Sequence, residues 1–164
     1  MKKLYIIGGP MGVGKTAACR KLKNKLAGCV FLDGDWCWDM HPFIVNPDTK
    51  KMVMENICFM LNNFIKCPVV ENIVFCWVMH EQDIIDEILS RISPGGFEVC
   101  CISLVCSKKE LTARLKKDIA AGIRDESVIG KSLKRLPLYS RLNTVQIDTT
   151  GLSADETAEA ILAT

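Results

Sequence analysis

The sequence predicts an α/β fold in which a mainly parallel sheet is flanked by helices. Three observations carry that expectation. Short apolar runs rich in branched residues alternate with longer amphipathic stretches along all 164 residues. A dozen or more residues separate successive runs, the length a crossover between parallel neighbours needs. The run Asn72–Met79 is apolar along nearly its whole length, as expected of a strand covered on both faces.

Taken in order, Leu4–Gly8 reads as the first strand and leads through a glycine-rich turn into a helix over Gly14–Leu26. Cys29–Leu32 is the second strand, and after an aromatic-rich segment comes a helix over Lys50–Lys66. Asn72–Met79 is the third strand, followed by a helix over Glu81–Ile92 and a turn at Pro94-Gly95-Gly96. Glu98–Val105 is the fourth strand. Ser107 then caps a helix over Lys108–Ala120, with Glu110 placed to complete a capping box. A helix over Ser127–Ser140 and a fifth strand at Val145–Asp148 follow. The last helix, Ser153–Ala163, opens on a second capping box formed by Ser153 and Glu156. No repeat, low-complexity tract or linker interrupts this series, so a single domain over 1–164 is expected.

Composition excludes several classes. With 49% hydrophobic and 24% charged residues, the chain can bury a core and does not resemble a disordered one. The longest clean apolar run, Ile73–Met79, is far below the ~20 residues of a membrane span. Lys2-Lys3 before Leu4–Ile7 is too short an apolar stretch for a secretion signal, and it runs straight into glycines. The nine cysteines contain no CxxC pair and lie largely in apolar segments, which suggests reduced core thiols and a soluble, cytoplasmic protein. A net charge of +2 argues against a nucleic-acid binder. Yet Ser107–Arg141 holds ten Lys/Arg against four Asp/Glu, while the remainder holds eleven against fifteen. That basic segment can serve a phosphate-bearing ligand or simply be a solvated helix face.

One motif is decisive. Gly9-Pro10-Met11-Gly12-Val13-Gly14-Lys15-Thr16 fits G-x-x-x-x-G-K-[ST] at every position, with a strand before it and a helix after it. Glycines let several backbone N–H groups converge on one point, and the following helix start adds its partial positive charge. The loop residues Gly9, Met11, Gly12, Val13 and Gly14, with Lys15, Thr16 and Ala17, are therefore expected to hold a nucleoside triphosphate. Lys15 would reach the β- and γ-phosphates, and the Thr16 hydroxyl would ligate Mg²⁺.

The second half of the site is signalled by Leu32-Asp33-Gly34-Asp35-Trp36, which puts two carboxylates at the C-terminal end of a strand, the ligand edge of an open α/β sheet. Either can accept a proton from a substrate hydroxyl or hold Mg²⁺ through water. Gly34 would let the chain turn so that the two carboxylates diverge.

Together, Gly9–Thr16 and Leu32–Asp35 resemble the small P-loop kinases, the group containing adenylylsulfate, gluconate, shikimate and nucleoside monophosphate kinases and chloramphenicol phosphotransferase. The resemblance spans nearly the whole chain in length and element order, but singles out no member. It implies a P-loop NTPase fold: a five-stranded parallel sheet of order 2-3-1-4-5 flanked by helices, with a short arginine-bearing lid. It implies ATP and Mg²⁺, and an acidic residue after the second strand that meets the phosphoryl acceptor. Leu111-Thr112-Ala113-Arg114-Leu115 is similar to the group's L-x-x-R-L pattern before the lid. Arg114 and Arg124, the latter in a lid at about 120–130, are the implied arginines that neutralise charge during transfer, with Arg135 a third candidate. Val145–Gly151 resembles the group's I-D-T loop beside the adenine, which marks Thr149.

The chain also departs from that pattern. Many members carry an Asp at the end of the third strand, where this chain has His80-Glu81. The segment Trp36–Phe43 holds three aromatic rings and His41, either to stack on an acceptor or to plug the sheet edge. Asp35, Trp36, Trp38 and His80 are the expected acceptor contacts. No Lys or Arg lies between Asp35 and Lys50, which favours a hydroxyl acceptor without a phosphate, provided no cation reaches in from elsewhere. The expected function is transfer of the γ-phosphoryl group of ATP to a small-molecule hydroxyl by a monomer or homodimer. A nucleoside or nucleotide kinase and a non-kinase nucleotide-binding regulatory ATPase are the alternatives.

Overall fold

In the computed structural model, which describes Met1–Thr164, five strands form one sheet. They are β1 (Lys2–Gly8), β2 (Cys29–Asp33), β3 (Asn72–Cys76), β4 (Phe97–Val105) and β5 (Val145–Asp148). Their order is β2-β3-β1-β4-β5, and every pairing is parallel. The helices are α1 (Lys15–Lys25), α2 (Pro47–Lys66), α3 (Gln82–Arg91), α4 (Lys108–Ala120), α5 (Ser127–Arg135) and α6 (Ala154–Leu162). Single 3₁₀ segments occupy Gly34–Trp38 and Leu136–Arg141. No helix is long and apolar enough to cross a membrane, and all nine cysteines are free thiols.

The period-two geometry of β1 divides the interior. Leu4 and Ile6 face a core built with Val53, Ile57 and Leu61 of α2 and Ile85 and Ile88 of α3. Tyr5 and Ile7 face the opposite core, with Ala18 and Leu22 of α1, Leu111 and Leu115 of α4 and Ile161 of α6. Burial on both faces explains why the sequence of β3 shows no alternation.

Three boundaries and one helix cap differ from expectation, each for a local reason. β3 ends at Cys76 although Trp77–Met79 remain apolar. After the Trp77 amide donates to the Ile7 carbonyl (3.1 Å), its neighbour β1 turns into the glycine loop, and only one long contact, from the Gly9 amide to the Val78 carbonyl (3.4 Å), follows. Helix α2 starts at Pro47, since Asn46 and Thr49 form a reciprocal capping box and proline suits the first turn. Helix α5 stops at Arg135 because Pro137 has no N–H to continue the ladder. At α4, Ser107 accepts from the Glu110 amide, but the capping box is not closed: the Glu110 carboxylate is taken by Arg114 Nε at 2.9 Å. The second expected box, Ser153 with Glu156, is present.

Beyond β3 the chain is held from below. Tyr139, fully buried, donates its hydroxyl proton to the Val78 carbonyl. The next residue, Met79, is also fully buried and has φ +31°, a left-handed conformation unusual for a side chain other than glycine. This turn carries His80 to the ligand edge of the sheet. Tyr139→Phe is expected to cost about 1–2 kcal/mol, lowering Tm by about 3–6 °C in a calorimetric scan.

Candidate active site

The glycine loop delivers an uncapped helix. Gly14 sits at φ +98° with no atom within 4 Å of where a Cβ would lie, so backbone conformation alone demands glycine there. No side chain caps α1, and its first turn has no acidic residue, so its leading amides stay available to an anion. Lys15 folds back over the loop, donating to the Gly9 and Pro10 carbonyls at 2.8 and 2.9 Å. Burial pushes its pKa below the usual lysine value, with Asp35 and Asp33 opposing the shift.

The two carboxylates after β2 have separate surroundings. Asp33 is buried and accepts on both oxygens: from Thr16 Oγ1 at 2.7 Å and from the Asp35 amide at 3.1 Å. Asp35 faces an open cavity, and the concave surroundings raise its carboxyl pKa, helped by the charge of Asp33. The role of Gly34 differs from the expected one. A Cβ there would lie 2.5 Å from the Trp77 ring, so the position needs glycine for close approach.

The cavity has a volume of about 1130 Å³, above the ~300–1,000 Å³ usual for one ligand. At one end are Met11, Gly12, Gly14, Lys15, Thr16 and Ala17, with Arg114, Lys117 and Arg124 from α4 and the connection after it. At the other are Trp38, Phe43 and Val45, with α2 and α3 contributing Lys50, Val53, Ile84 and Arg91. Asp33, Asp35, Trp77 and His80 lie on the same wall system. The loop residues Gly9 and Val13 are buried beneath it, Val13 at 2% exposure, and serve the backbone rather than the lining.

Not every expected residue arrives as anticipated. Trp38 joins Phe43 (centroids 5.2 Å apart) and Trp77 (6.4 Å) in a ring cluster on the cavity wall. Trp36 does not line this cavity. Two residues apart in a 3₁₀ helix is about 240° of rotation, so Trp36 faces outward, edge-on to Phe31, beside Met52 and Phe59. His41 is exposed and outside the cavity as well. His80 is half-buried with Nε2 3.4 Å from Glu81 Oε1, and its Nδ1 is buried without a hydrogen-bond partner. Burial lowers its pKa, and the Arg135 charge lowers it further, both favouring the neutral imidazole.

Arg114 braces the loop. Its guanidinium donates to the Val13 carbonyl (2.8 Å), to Thr149 Oγ1 (3.1 Å) and to the Thr149 carbonyl (2.9 Å), while Nε pairs with Glu110. Thr149 is itself buried and ties back to Val105. The segment 120–130, expected as a lid, comprises the connection 121–126 and the first residues of α5, and within it Arg124 pairs with Asp118 at 3.1 Å. Ser132 of α5 donates to the Met11 carbonyl at 3.0 Å and so fixes that helix against the glycine loop. Neither Ser132 nor Tyr139 carries a sequence signal for its role, since each acts through a contact more than 60 residues away.

The proviso attached to the cation-free stretch between Asp35 and Lys50 is not met, because Lys50, Lys51, Arg91, Lys131 and Arg135 line the cavity. Nine cationic side chains face five acidic ones around it, which suits anionic ligands.

Thr16 Oγ1 and Asp33 Oδ2, already in contact, are the hard oxygen donors that suit Mg²⁺. No group of three His, Cys, Asp or Glu gathers anywhere in the chain. The pair therefore fits an ion that takes most of its ligands from phosphate and water.

Comparison with known proteins agrees with this architecture. A family profile described as "AAA domain" matches residues 6–129. No curated protein matches the sequence. Among solved structures, the tunicamycin resistance protein of Deinococcus radiodurans superposes with a TM-score of 0.72 at 18% identity, covering 99% of this chain and 95% of that one. A gluconokinase from Sinorhizobium meliloti gives 0.70 at 19% identity, covering 98% and 91%. A shikimate kinase from Acinetobacter baumannii, solved with shikimate, gives 0.66 at 22% identity, covering 99% and 91%. At these identities the likeness is one of fold: a five-stranded parallel sheet flanked by helices.

Proposed function

This chain belongs to the AAA-domain family of P-loop proteins, and from that membership we propose that it is an ATP-dependent, Mg²⁺-requiring kinase of a small-molecule hydroxyl. The observation that carries the reading is a division of labour between neighbouring carboxylates. Asp33 is buried and bound to Thr16, whereas Asp35 opens onto a cavity with room for two ligands. A protein that only sensed nucleotide would need no second compartment.

In this reading the α1 amides and Lys15 hold the triphosphate, Lys15 exchanging its two loop carbonyls for phosphate oxygens. Thr16 and Asp33 would hold Mg²⁺, which when bound neutralises charge on the phosphates. The acceptor lies against Trp38 and Phe43, its hydroxyl at Asp35. As its oxygen bonds to the γ-phosphorus, the bond from that phosphorus to the bridging oxygen breaks. The hydroxyl proton passes to Asp35, whose raised pKa suits a base. Arg124, released from Asp118, would stabilise charge from the lid, and Arg114 positions the loop. A cytoplasmic setting, where ATP is abundant, fits this role.

The test is ADP formation by the purified chain across sugars, antibiotics, nucleosides, nucleoside monophosphates and hydroxy acids. The expected result is a rate that depends on one acceptor class and saturates with it. ADP formation at one constant rate whatever is added would instead identify a regulatory ATPase.

A further inference from the structure

The outer face of α2 lies apart from the cavity, and nothing in the fold covers it. A groove of about 430 Å³ separates it from the 3₁₀ segment Gly34–Trp38, with Trp36, Cys37, Met40, Met52, Phe59 and Met60 along its walls. Phe59 is 68% exposed and Trp36 52%, while Met52 and Met60 are each more than a third exposed. Counting ~150–250 Å² for each large side chain, these four leave roughly 400 Å² of apolar surface in water. A patch of that size, within the ~300–600 Å² of the largest on an ordinary monomer, often marks a contact.

The same face carries charges in a symmetric arrangement. Asp48, Met52, Glu55, Phe59 and Lys66, all exposed, follow one another at intervals of four, three, four and seven residues. That rhythm keeps them on one narrow stripe of the helix. Asp48 stands in the first turn and Lys66 in the last, and neither enters an ion pair of the chain. Their midpoint is residue 57, inside the apolar stretch Met52–Met60. A two-fold axis there lays two copies of α2 antiparallel, with Asp48 of each opposite Lys66 of the other. Phe59 of each then falls between Met52, Asn56 and Phe59 of the other copy. A parallel pair would set Asp48 against Asp48 and Lys66 against Lys66, whereas the antiparallel one also opposes the helix dipoles. A standard interface buries about 800 Å² per partner, a little over half of it apolar. The patch with its polar ends therefore reaches the low end of what a specific dimer needs.

We propose that this face is the interface of a homodimer, in which a second copy of the chain packs its own α2 antiparallel across a two-fold axis. The pairing goes beyond the kinase reading and does not depend on it. It covers Trp36, and so supports from outside the 3₁₀ segment that presents Asp35 and Trp38 to the cavity. The occupant is a second copy rather than a lipid surface, because Asp48 and Glu55 share the stripe with Lys66. A helix that lies on a membrane is instead rich in lysine and arginine on its polar face.

The test is analytical ultracentrifugation of the full-length chain from about 1 to 200 µM, the range in which an interface at the low end of the standard size dissociates. A reducing buffer keeps the nine free thiols from linking copies. The expected result is a reversible monomer–dimer equilibrium with a micromolar Kd. Phe59→Asp should weaken it by about a hundredfold, because the two-fold axis removes the aromatic anchor twice. Asp48→Lys and Lys66→Asp should each weaken it by about tenfold, and the double variant should return to within about threefold of the wild type. All three side chains are exposed, and circular dichroism at the lowest concentration confirms that the variants fold. A chain that stays monomeric to 200 µM overturns the proposal. If that monomer sediments with anionic lipid vesicles and Phe59→Asp does not, the face belongs to a membrane surface. A dimer indifferent to Phe59→Asp places the interface elsewhere and overturns it too. So does a double variant no better than the single reversals, since only antiparallel pairing lets the exchanged charges meet again.

Discussion

Lys15→Ala is expected to abolish ATP binding while leaving the chain folded. Calorimetry should detect no heat of binding at concentrations that saturate the wild type. Nucleotide at 100 times Kd should raise the wild-type Tm by about 5–10 °C and the variant's by none. The fold should not suffer, because the ammonium makes only two hydrogen bonds, both to carbonyls of its own loop. The sign of its titration supports this. A lysine whose folded pKa lies below its unfolded value adds stability above the unfolded pKa, and that contribution is lost as pH falls through the folded one. At neutral pH the charged amine therefore burdens the empty site, and Lys15→Ala should melt at or above the wild-type temperature. Wild-type ATP affinity in the variant would remove the nucleotide site from this loop.

Asp35→Asn separates binding from transfer. ATP affinity should stay within twofold, since Asp35 touches neither the loop amides nor Thr16, while kcat falls by about 10²–10⁴-fold, the usual contribution of a positioned base. The acid limb of the wild-type pH–rate profile should lie above the normal aspartate range, because the concave surroundings and the neighbouring Asp33 both raise this pKa. The stability effect has the opposite sign to that of a salt-bridged carboxylate. A folded pKa raised above the unfolded one contributes stability that is present at acid pH and lost as pH rises through it. The asparagine variant should thus melt at or above the wild-type temperature at pH 7, with its advantage fading on acidification. Unimpaired turnover would move the base to Asp33.

Much of this was legible in the residues. The glycine loop and its flanks announced the nucleotide end, because a phosphate cradle is built from consecutive backbone amides. The sheet order followed from the resemblance that loop and Leu32–Asp35 carry. The acceptor end was less legible because its parts converge only through tertiary structure. Lys50, His80 and Arg135 sit on three elements separated by up to 85 residues. The end of β3 was hidden because Trp77–Met79 stay apolar while the neighbouring strand departs. Trp36 and Trp38 look equivalent in sequence, and the rotation of a 3₁₀ turn sends only one to the cavity. Asn46-Pro47 carries a cap and a proline at their preferred positions, a helix-start signal that the apolar periodicity beginning at Lys50 passes over.

The central claim is that the γ-phosphoryl group leaves ATP for a molecule bound at Asp35. The most direct measurement follows ATP labelled in its γ-phosphoryl group, incubated with the protein and a small-molecule cell extract, and identifies by mass spectrometry where the label goes. The account predicts a labelled phosphate ester of one compound class, formed by wild type and lost in Asp35→Asn. Label recovered only as inorganic phosphate, at a rate that Asp35→Asn leaves unchanged, would contradict it.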